Sequence, residues 1–571
     1  MNWNLKEFFN NENEFNEFID KIKNEAIIFN KTYKDNLEKL DNSEFINALQ
    51  TLEKINENIS KALTYRYLAF AKDTTKGKEL TSSELICNEI SQNLLFFEIE
   101  FNNLEKTKKD KFINTSPKYR YHLELLSKEK VHQLSLLEEK VLLKTSPVGS
   151  SAFARLFDET MANLDFDFED KKIKIETLLS YLSDEDRNKR KNAALSLSKT
   201  LDVNSHLLTY IYNMIKTDLN IQKELRNYKF SESSMHLYNQ IEKKSVDNLI
   251  KAVEKRFDLS IDYYAKKREI LGFEELYDYD RYAPIKSDEE ITFEESKKIV
   301  LKAFNEFSPK FGEIAKKAFD ENWIDVYPDK NKTSGAFSHS AVSSVHPFVM
   351  LNFTNKKRDL FTLAHELGHA IHQYLAYKVG YFNSSTPLTT AETASVFCEM
   401  LVFDYIYQKS DDKISLLASK LEDIFATLYR QINFTTFERR VHSFEGELSK
   451  DELDKIWLEE SAKMFGKSLK LNEYYKSWWS YIPHFIHTPF YCYSYSYAQL
   501  LVLALFGLYK SKKCENFVEI YTEFLTLGGS KSPKEMVEMF NLDINSQEFW
   551  QIGLNEVEKL IKKFKELKWP F

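Results

Sequence analysis

The sequence predicts a mainly α-helical protein with one or two small sheets or hairpins, on three observations. Turn-forming residues are scarce in the first half. Up to residue 270 the chain has only Pro117, Pro147, Gly77 and Gly149 from these two residue types, and so few breakers favour long helices over strands joined by tight turns. Apolar residues recur at helical spacing from the outset, as in Leu5, Phe8 and Phe9, then Phe15, Phe18, Ile19 and Ile22. Alternation with period two is confined to short stretches, and no fixed-period repeat or low-complexity linker is visible.

The first such stretch is Leu164-Asp165-Phe166-Asp167-Phe168, followed by the polar turn Glu169 to Lys172 and then Ile173-Lys174-Ile175. It predicts a hairpin near 164–175. Helical spacing resumes from Thr177 to about Leu201. Between Pro328 and Phe353 the texture changes again. Ser334-Gly335-Ala336-Phe337 and Pro347 to Phe353 are short, apolar and partly β-branched or aromatic, which predicts a pair of strands. Helices dominate from Asn355 to the end.

The chain has 571 residues and a mass of 67.4 kDa, long enough for two lobes around sizeable cores. Charged residues make up 29%, well mixed, with a net charge of -8. That balance excludes the basic footprint of a nucleic-acid binder. The Lys-rich stretch 105–111 carries acids within it and reads as a solvated helix face. Met1 to Glu7 has no basic segment leading into an apolar run, so no secretory signal is expected. The most apolar later run, Leu500 to Tyr509, is about half the length of a membrane span. The four cysteines are scattered, with no C-x-x-C pair. Reduced thiols in a cytoplasmic protein without membrane attachment are therefore expected, and cysteine-bound zinc is not. Nothing in the sequence sets an oligomeric state.

The chemistry is concentrated at His365-Glu366-Leu367-Gly368-His369. On a helix, residues i and i+4 share one face, so the two imidazoles can hold one tetrahedral metal ion. Glu366, next to the first ligand, lies near the metal without pointing straight at it, as a base acting on an activated water must. With 12 histidines and 87 acidic residues in the chain, a His-acid-x-x-His motif is expected by chance only about 0.04 times. Phe361, Leu363, Ala364, Leu367, Ala370 and Ile371 supply packing residues around it, Asp359 favours the helix start, and Lys378 with Gly380 favours its stop.

A zinc peptidase needs a third protein ligand and keeps the fourth position open. The metzincin pattern requires Gly at 372 and His at 375; the chain has His372 and Leu375. His372 reads as a core residue. The next acid downstream is Glu392, with Glu399 seven residues on. Glu392 is chosen as third ligand, and Glu399 as the acceptor that orients a ligand imidazole. The expected organisation is an N-terminal helical lobe over 1–200 and a catalytic region over 201–571.

A second cluster runs from Pro483 to Tyr497 and carries His484, His487 and tyrosines at 491, 493, 495 and 497. Hydroxyl and imidazole donors of this kind can hold a developing oxyanion. Aromatic runs are more often core packing, but beside a metal motif this one becomes a candidate wall of the active cleft.

Three segments in this order resemble the oligoendopeptidase F group of the thimet-oligopeptidase-like M3 zinc metallopeptidases: His365 to His372, Ala391 to Phe397, and Pro489 to Tyr495. Gly335-Ala336-Phe337 and His346-Pro347-Phe348 are also similar to that family, and the likeness runs from roughly the hairpin onwards. Tyr497 stands where Phe is expected. The resemblance implies a two-lobed helical metallopeptidase with a deep central channel. It implies one zinc ion per chain on His365, His369 and Glu392, with Glu366 as base. It places the oxyanion and substrate groups within His484 to Tyr495, for which His484, Tyr491 and Tyr495 are the candidates. It also implies short, unstructured oligopeptides as substrates. If Gly335-Ala336-Phe337 is an edge strand, it can hold a peptide backbone by strand addition.

Two rivals follow from the same residues. A helical zinc carboxypeptidase would share the ligands and differ in the position of cleavage. A helical binding protein with structural zinc would close the fourth position with a protein ligand and leave Glu366 without a task.

Overall fold

Capping residues open the first long helices. Asn11 accepts from the Glu14 N–H at the start of Glu12–Tyr33, and Asp41 and Glu44 form a reciprocal capping box before Asn42–Lys72. Such caps satisfy N–H groups that a helix leaves unbonded in its first turn, at about 1 kcal/mol each. The computed structural model describes residues 2–286 and 290–568. Over these it is mainly helical, with one two-stranded and one three-stranded sheet.

The hairpin is shorter than the alternation suggests. Strands β1 (Phe166–Phe168) and β2 (Lys171–Ile173) pair antiparallel across Glu169 and Asp170, whose φ values are 47° and 61°. This left-handed pair is the turn that matches strand twist. Ile175 already belongs to the helix Ile175–Ser180, which breaks before Arg187–Val203 begins under the Asp186 cap.

Contacts divide the chain into two units, neither of them one stretch of sequence. The first joins Met1–Lys130, Asp288–Gln408 and Cys514–Asn541; the second joins Val131–Ser287, Lys409–Lys513 and Leu542–Phe571. A single cut at residue 200 does not reproduce this division. The physical reason is packing between distant helices. Phe517–Thr526, late in the chain, packs against Lys357–Ala376 in the first unit. In the second unit Gln547–Glu566 packs against Tyr493–Ser511.

Phenylalanines fill the first unit's core: Phe29, Phe45, Phe97, Phe101 and Phe112 are buried, and the Phe45 and Phe112 rings stack at 3.9 Å. The same core reaches the larger sheet through Trp3, whose indole N–H donates to the Trp323 and Val349 carbonyls at 2.9 and 3.0 Å. That sheet has the order β3–β5–β4, where β3 is Ile324–Asp325, β4 is Phe337–His339 and β5 is Phe348–Met350. β5 runs parallel to β3 and antiparallel to β4, with Phe337 opposite Met350 and Ser338 opposite Val349.

The expected strand at 334–337 is shifted towards the C-terminus. Gly335 has φ +83° and begins a turn, and Asn352 Nδ2 donates to the Thr333 and Gly335 carbonyls at 3.0 and 2.7 Å. With its backbone in the left-handed region, that residue cannot extend a strand.

The second unit packs Tyr212, Phe437, Trp457, Trp478, Trp479 and Phe485 around the helix Tyr429–His442. Among the described residues no helix is long and apolar enough to cross a membrane. The apolar run at 500–506 is interior helix surface.

Candidate metal centre

The motif helix Lys357–Ala376 starts where Asp359 Oδ2 accepts from the Thr354 and Lys356 N–H groups, and it ends before Gly380. Its i, i+4 geometry brings the His365 and His369 rings to 4.8 Å between centroids. Glu392 sits at the junction between the short helix Leu388–Ala391 and the helix Thr393–Lys409. Its Oε2 lies 3.3 Å from the Nε2 of His365 and 3.3 Å from the Nε2 of His369. Donors about 2.0–2.2 Å from a tetrahedral centre stand roughly 3.4 Å apart, so the three atoms fit one such ion. Among the described residues these three form the group able to hold a metal.

Glu399, on the helix Thr393–Lys409, accepts from His365 Nδ1 at 2.5 Å. That bond occupies Nδ1 and turns Nε2 towards Glu392, so that Nε2 is the nitrogen free to bind a metal once it gives up its proton. Burial lowers the proton affinity of His365, but the hydrogen bonds to Glu392 and Glu399 outweigh it and hold the imidazole well above its ordinary range. The same two carboxylates make the site attractive to a divalent cation. Ser395 Oγ donates to Glu392 Oε2 at 2.7 Å and fixes the carboxylate from behind.

Gly368 explains how the two helices come so close. A Cβ there would lie 2.7 Å from both the Ala394 carbonyl oxygen and Ser395 Cα. Any side chain would drive apart the helix carrying the histidines and the segment carrying Glu392. His372, one turn beyond His369, is a core residue: burial pushes it down to about 4, and it bonds to the backbone of Ala391, next to Glu392.

Glu366 is 7% exposed. Burial, above all, raises its carboxyl from the ordinary range, against the pull of His365 and His369. A carboxylate of raised proton affinity is a better proton acceptor near neutrality.

The sheet borders the motif helix in the same unit. Gln373 Nε2 donates to the Ser338 carbonyl of β4 at 3.1 Å, and its Oε1 accepts from Ser338 Oγ at 2.8 Å. Gly335 and Ala336 precede the strand, and Phe337 is its first residue.

His484, Tyr491 and Tyr495 form a cluster in the second unit. His484 Nε2 and Tyr495 Oη are 3.1 Å apart, and the His484 and Tyr491 rings stack at 5.9 Å. The alternating tyrosines divide between two faces. Tyr491 and Tyr495 are half-buried, whereas Tyr493 and Tyr497 are buried. Tyr493 Oη meets His236 Nδ1 and accepts from Asn239 Nδ2, both at 2.9 Å, and Tyr497 packs on Trp550. Phe490 makes the turn before the cluster with φ +63°, and its N–H donates to the fully buried Glu438 at 2.8 Å. Sequence reasoning missed Gly368's contact, Ser395 and Glu438. Only the glycine carried a signal, as a helix-weakening residue inside a strong helix.

The family model described as "Peptidase family M3" matches residues 180–556, and one described as "Oligopeptidase F" matches 100–166. The first covers well over half of the chain. The chain belongs to peptidase family M3. A relative named "Oligopeptidase PepF", from Bacillus subtilis, is 28% identical over 99% of this chain and 88% of its own length. An "Oligoendopeptidase F homolog" from Borreliella burgdorferi is 29% identical over 98% of both chains. The likeness therefore extends upstream of the hairpin. Among solved structures, a putative peptidase from Chlamydophila abortus superposes with a TM-score of 0.87 at 23% identity, over 99% of this chain and 98% of that one. Oligoendopeptidase F from Enterococcus faecium superposes at 0.70 and 20%, over 97% and 99%. These two share the fold. As an M3 peptidase of this kind the chain is a metallo-endopeptidase.

Proposed function

We propose that this M3 peptidase is a zinc enzyme that cuts internal bonds of short, unstructured oligopeptides. It would hold one ion on His365, His369 and Glu392. The observation that carries the metal assignment is the placement of Glu392 Oε2 at 3.3 Å from both imidazole nitrogens. Oligopeptide substrates are supported by the names of the relatives.

Bound zinc lowers the pKa of a water toward about 7 and polarises a carbonyl. Glu366 takes the proton of the attacking water and delivers it to the leaving amine. Its burial keeps bulk water from competing for that proton. Glu399 holds the His365 imidazole in the required tautomer through Nδ1. His484, Tyr491 and Tyr495 supply donors for the tetrahedral oxyanion. Burial, then the charge of Arg430, lowers the proton affinity of His484, so it serves as a neutral hydrogen-bonding ring at neutral pH. Gly335, Ala336 and Phe337 present backbone to an extended peptide, next to the β4 edge that Gln373 fastens to the motif helix.

The test is mass spectrometry of products from a mixed-length peptide pool, with chelator and after zinc is restored. Internal cuts that vanish with chelator and return with zinc are expected. Full activity in the metal-stripped enzyme, or release of single C-terminal residues, would sink the reading.

A further inference from the structure

Only part of the outer edge of β4 is open. Val349 and Leu351 direct their N–H groups at the Trp323 and Asp325 carbonyls on the β3 side, at 2.8 Å each. Main-chain groups alternate in direction along a strand, so Phe348 and Met350 bond towards β4. Their partners there are His339 and Phe337. The groups of Ser338, between them, therefore point away from the sheet. By the same alternation so do those of Ala336 and Ser340.

Two of these three outward carbonyls are taken. The Ser338 carbonyl accepts from Gln373 Nε2 at 3.1 Å, and the Ser340 carbonyl accepts from Tyr377 Oη. Gln373 lies on the motif helix and Tyr377 at its end cap. His365, His369, Gln373 and Tyr377 recur every four residues, so they form one stripe along that helix. The Gln373 amide also accepts from Ser338 Oγ at 2.8 Å, which fixes it at both its nitrogen and its oxygen. An amide that donates to an outward carbonyl does what the N–H of an added strand would do.

Ala336 is different. Among the described residues nothing bonds to its N–H or its carbonyl. Gly335 is not equivalent to it, because the Gly335 carbonyl is held by Asn352.

We propose that Gln373 and Tyr377 set the register of the bound substrate: they stand in for a strand partner and end the row of open carbonyls at Ala336. This rests on the reading that an extended peptide pairs beside Gly335, Ala336 and Phe337, and it fixes how far that pairing runs. The peptide N–H that meets the Ala336 carbonyl is used for binding, and the N–H two residues along finds its acceptor occupied. Because the stand-ins share a stripe with His365 and His369, one helix places both the metal ligands and the stop.

The experiment is an N-methyl scan with the zinc-loaded full-length chain. One peptide is offered unmodified and in a series methylated at one backbone nitrogen at a time, outside the residues that flank the cut. kcat, KM and the position of the cut are read for each. Methylation removes a single N–H donor. In the unaltered enzyme one position should be sensitive, with kcat/KM lower by about 2- to 10-fold, chiefly through KM, as the loss of one hydrogen bond provides. Gln373→Met keeps the length of the side chain and removes its donor. In that variant a second sensitive position should appear two residues from the first. A Gln373 that merely supports the fold would change kcat/KM for every peptide alike and leave the profile as it was, which would overturn the proposal. Two sensitive positions two residues apart in the unaltered enzyme would also overturn it, and that count decides if Gln373→Met does not fold. A flat profile in an enzyme that cuts the unmodified peptide would remove strand addition itself, and the register stop with it. If the unmodified peptide is not cut while zinc is bound, it is the reading of the catalytic site that fails.

Discussion

The proposed metal ligands in the first unit and the His484–Tyr491–Tyr495 cluster in the second are built by opposite means. The ligands are charged, close-packed and locally encoded. Two come from adjacent turns of one helix, and the third comes from a junction that Gly368 allows to approach within van der Waals contact. Carboxylates at 392 and 399 and the Ser395 hydroxyl fix each donor atom. The second cluster is made of neutral rings half open to solvent. Its geometry depends on one left-handed residue, Phe490, whose N–H is held by the buried Glu438. A β-carbon in that backbone region costs roughly 1–2 kcal/mol, so the surroundings must enforce it. Electrostatics organises the first site, and backbone strain held by a buried acid organises the second.

Substitutions can break or sharpen this contrast. The largest effect is expected at Glu366. Glu366→Gln should keep zinc at one per chain by elemental analysis and lose about 10²–10⁴-fold in kcat, the usual cost of removing a general base. Near-normal turnover with zinc bound would assign the base elsewhere. Glu399→Ala should come next. Loss of the acceptor for His365 Nδ1 should weaken zinc binding by about 10–100-fold in a competition titration. Unchanged affinity would mean that the helix alone orients the imidazole.

Gly368→Ala tests the close approach. Overpacking against Ala394 and Ser395 should destabilise the fold by about 1–3 kcal/mol, only partly offset by the roughly 0.5–1 kcal/mol that alanine gains over glycine in a helix. Denaturant unfolding measures the first effect, and zinc affinity should fall with it. A variant as stable and as tight as the parent would show that the helices separate freely.

The smallest effect is expected in the second unit. Burial holds the Glu438 carboxyl well above the ordinary carboxylate range. Its contribution to stability is therefore complete below the unfolded value of about 4.3 and is lost as pH rises through the folded value, by about 1.4 kcal/mol for each pH unit that separates the two. Glu438→Gln retains an oxygen for the Phe490 N–H and does not titrate. Its melting temperature relative to the unaltered chain should climb as pH is raised from 5 towards 8. A flat difference across that range would remove Glu438 from this role.

Much was legible without coordinates, and the reason is range. Breaker scarcity and helical spacing are local properties, so they determined the helical class, the hairpin and the motif helix. His365 and His369 face one point because 3.6 residues make a turn. Glu392 and Glu399 were reachable by chain order, which also suggested the first as ligand and the second as the acceptor behind an imidazole, but the geometry that separates them was not. Glu392 lies at a helix junction and Glu399 on the helix beyond it, so their different reach to His365 is a product of packing. Chain order likewise could not divide the tyrosines. The pair at 491 and 495 and the pair at 493 and 497 are identical in type and spacing, and only burial against His236, Asn239 and Trp550 separates them. The division into units from three segments each, the third strand Ile324–Asp325 and the turn at Gly335 all belong to the tertiary structure. Each depends on contacts between residues tens to hundreds of positions apart, and no local periodicity records those contacts.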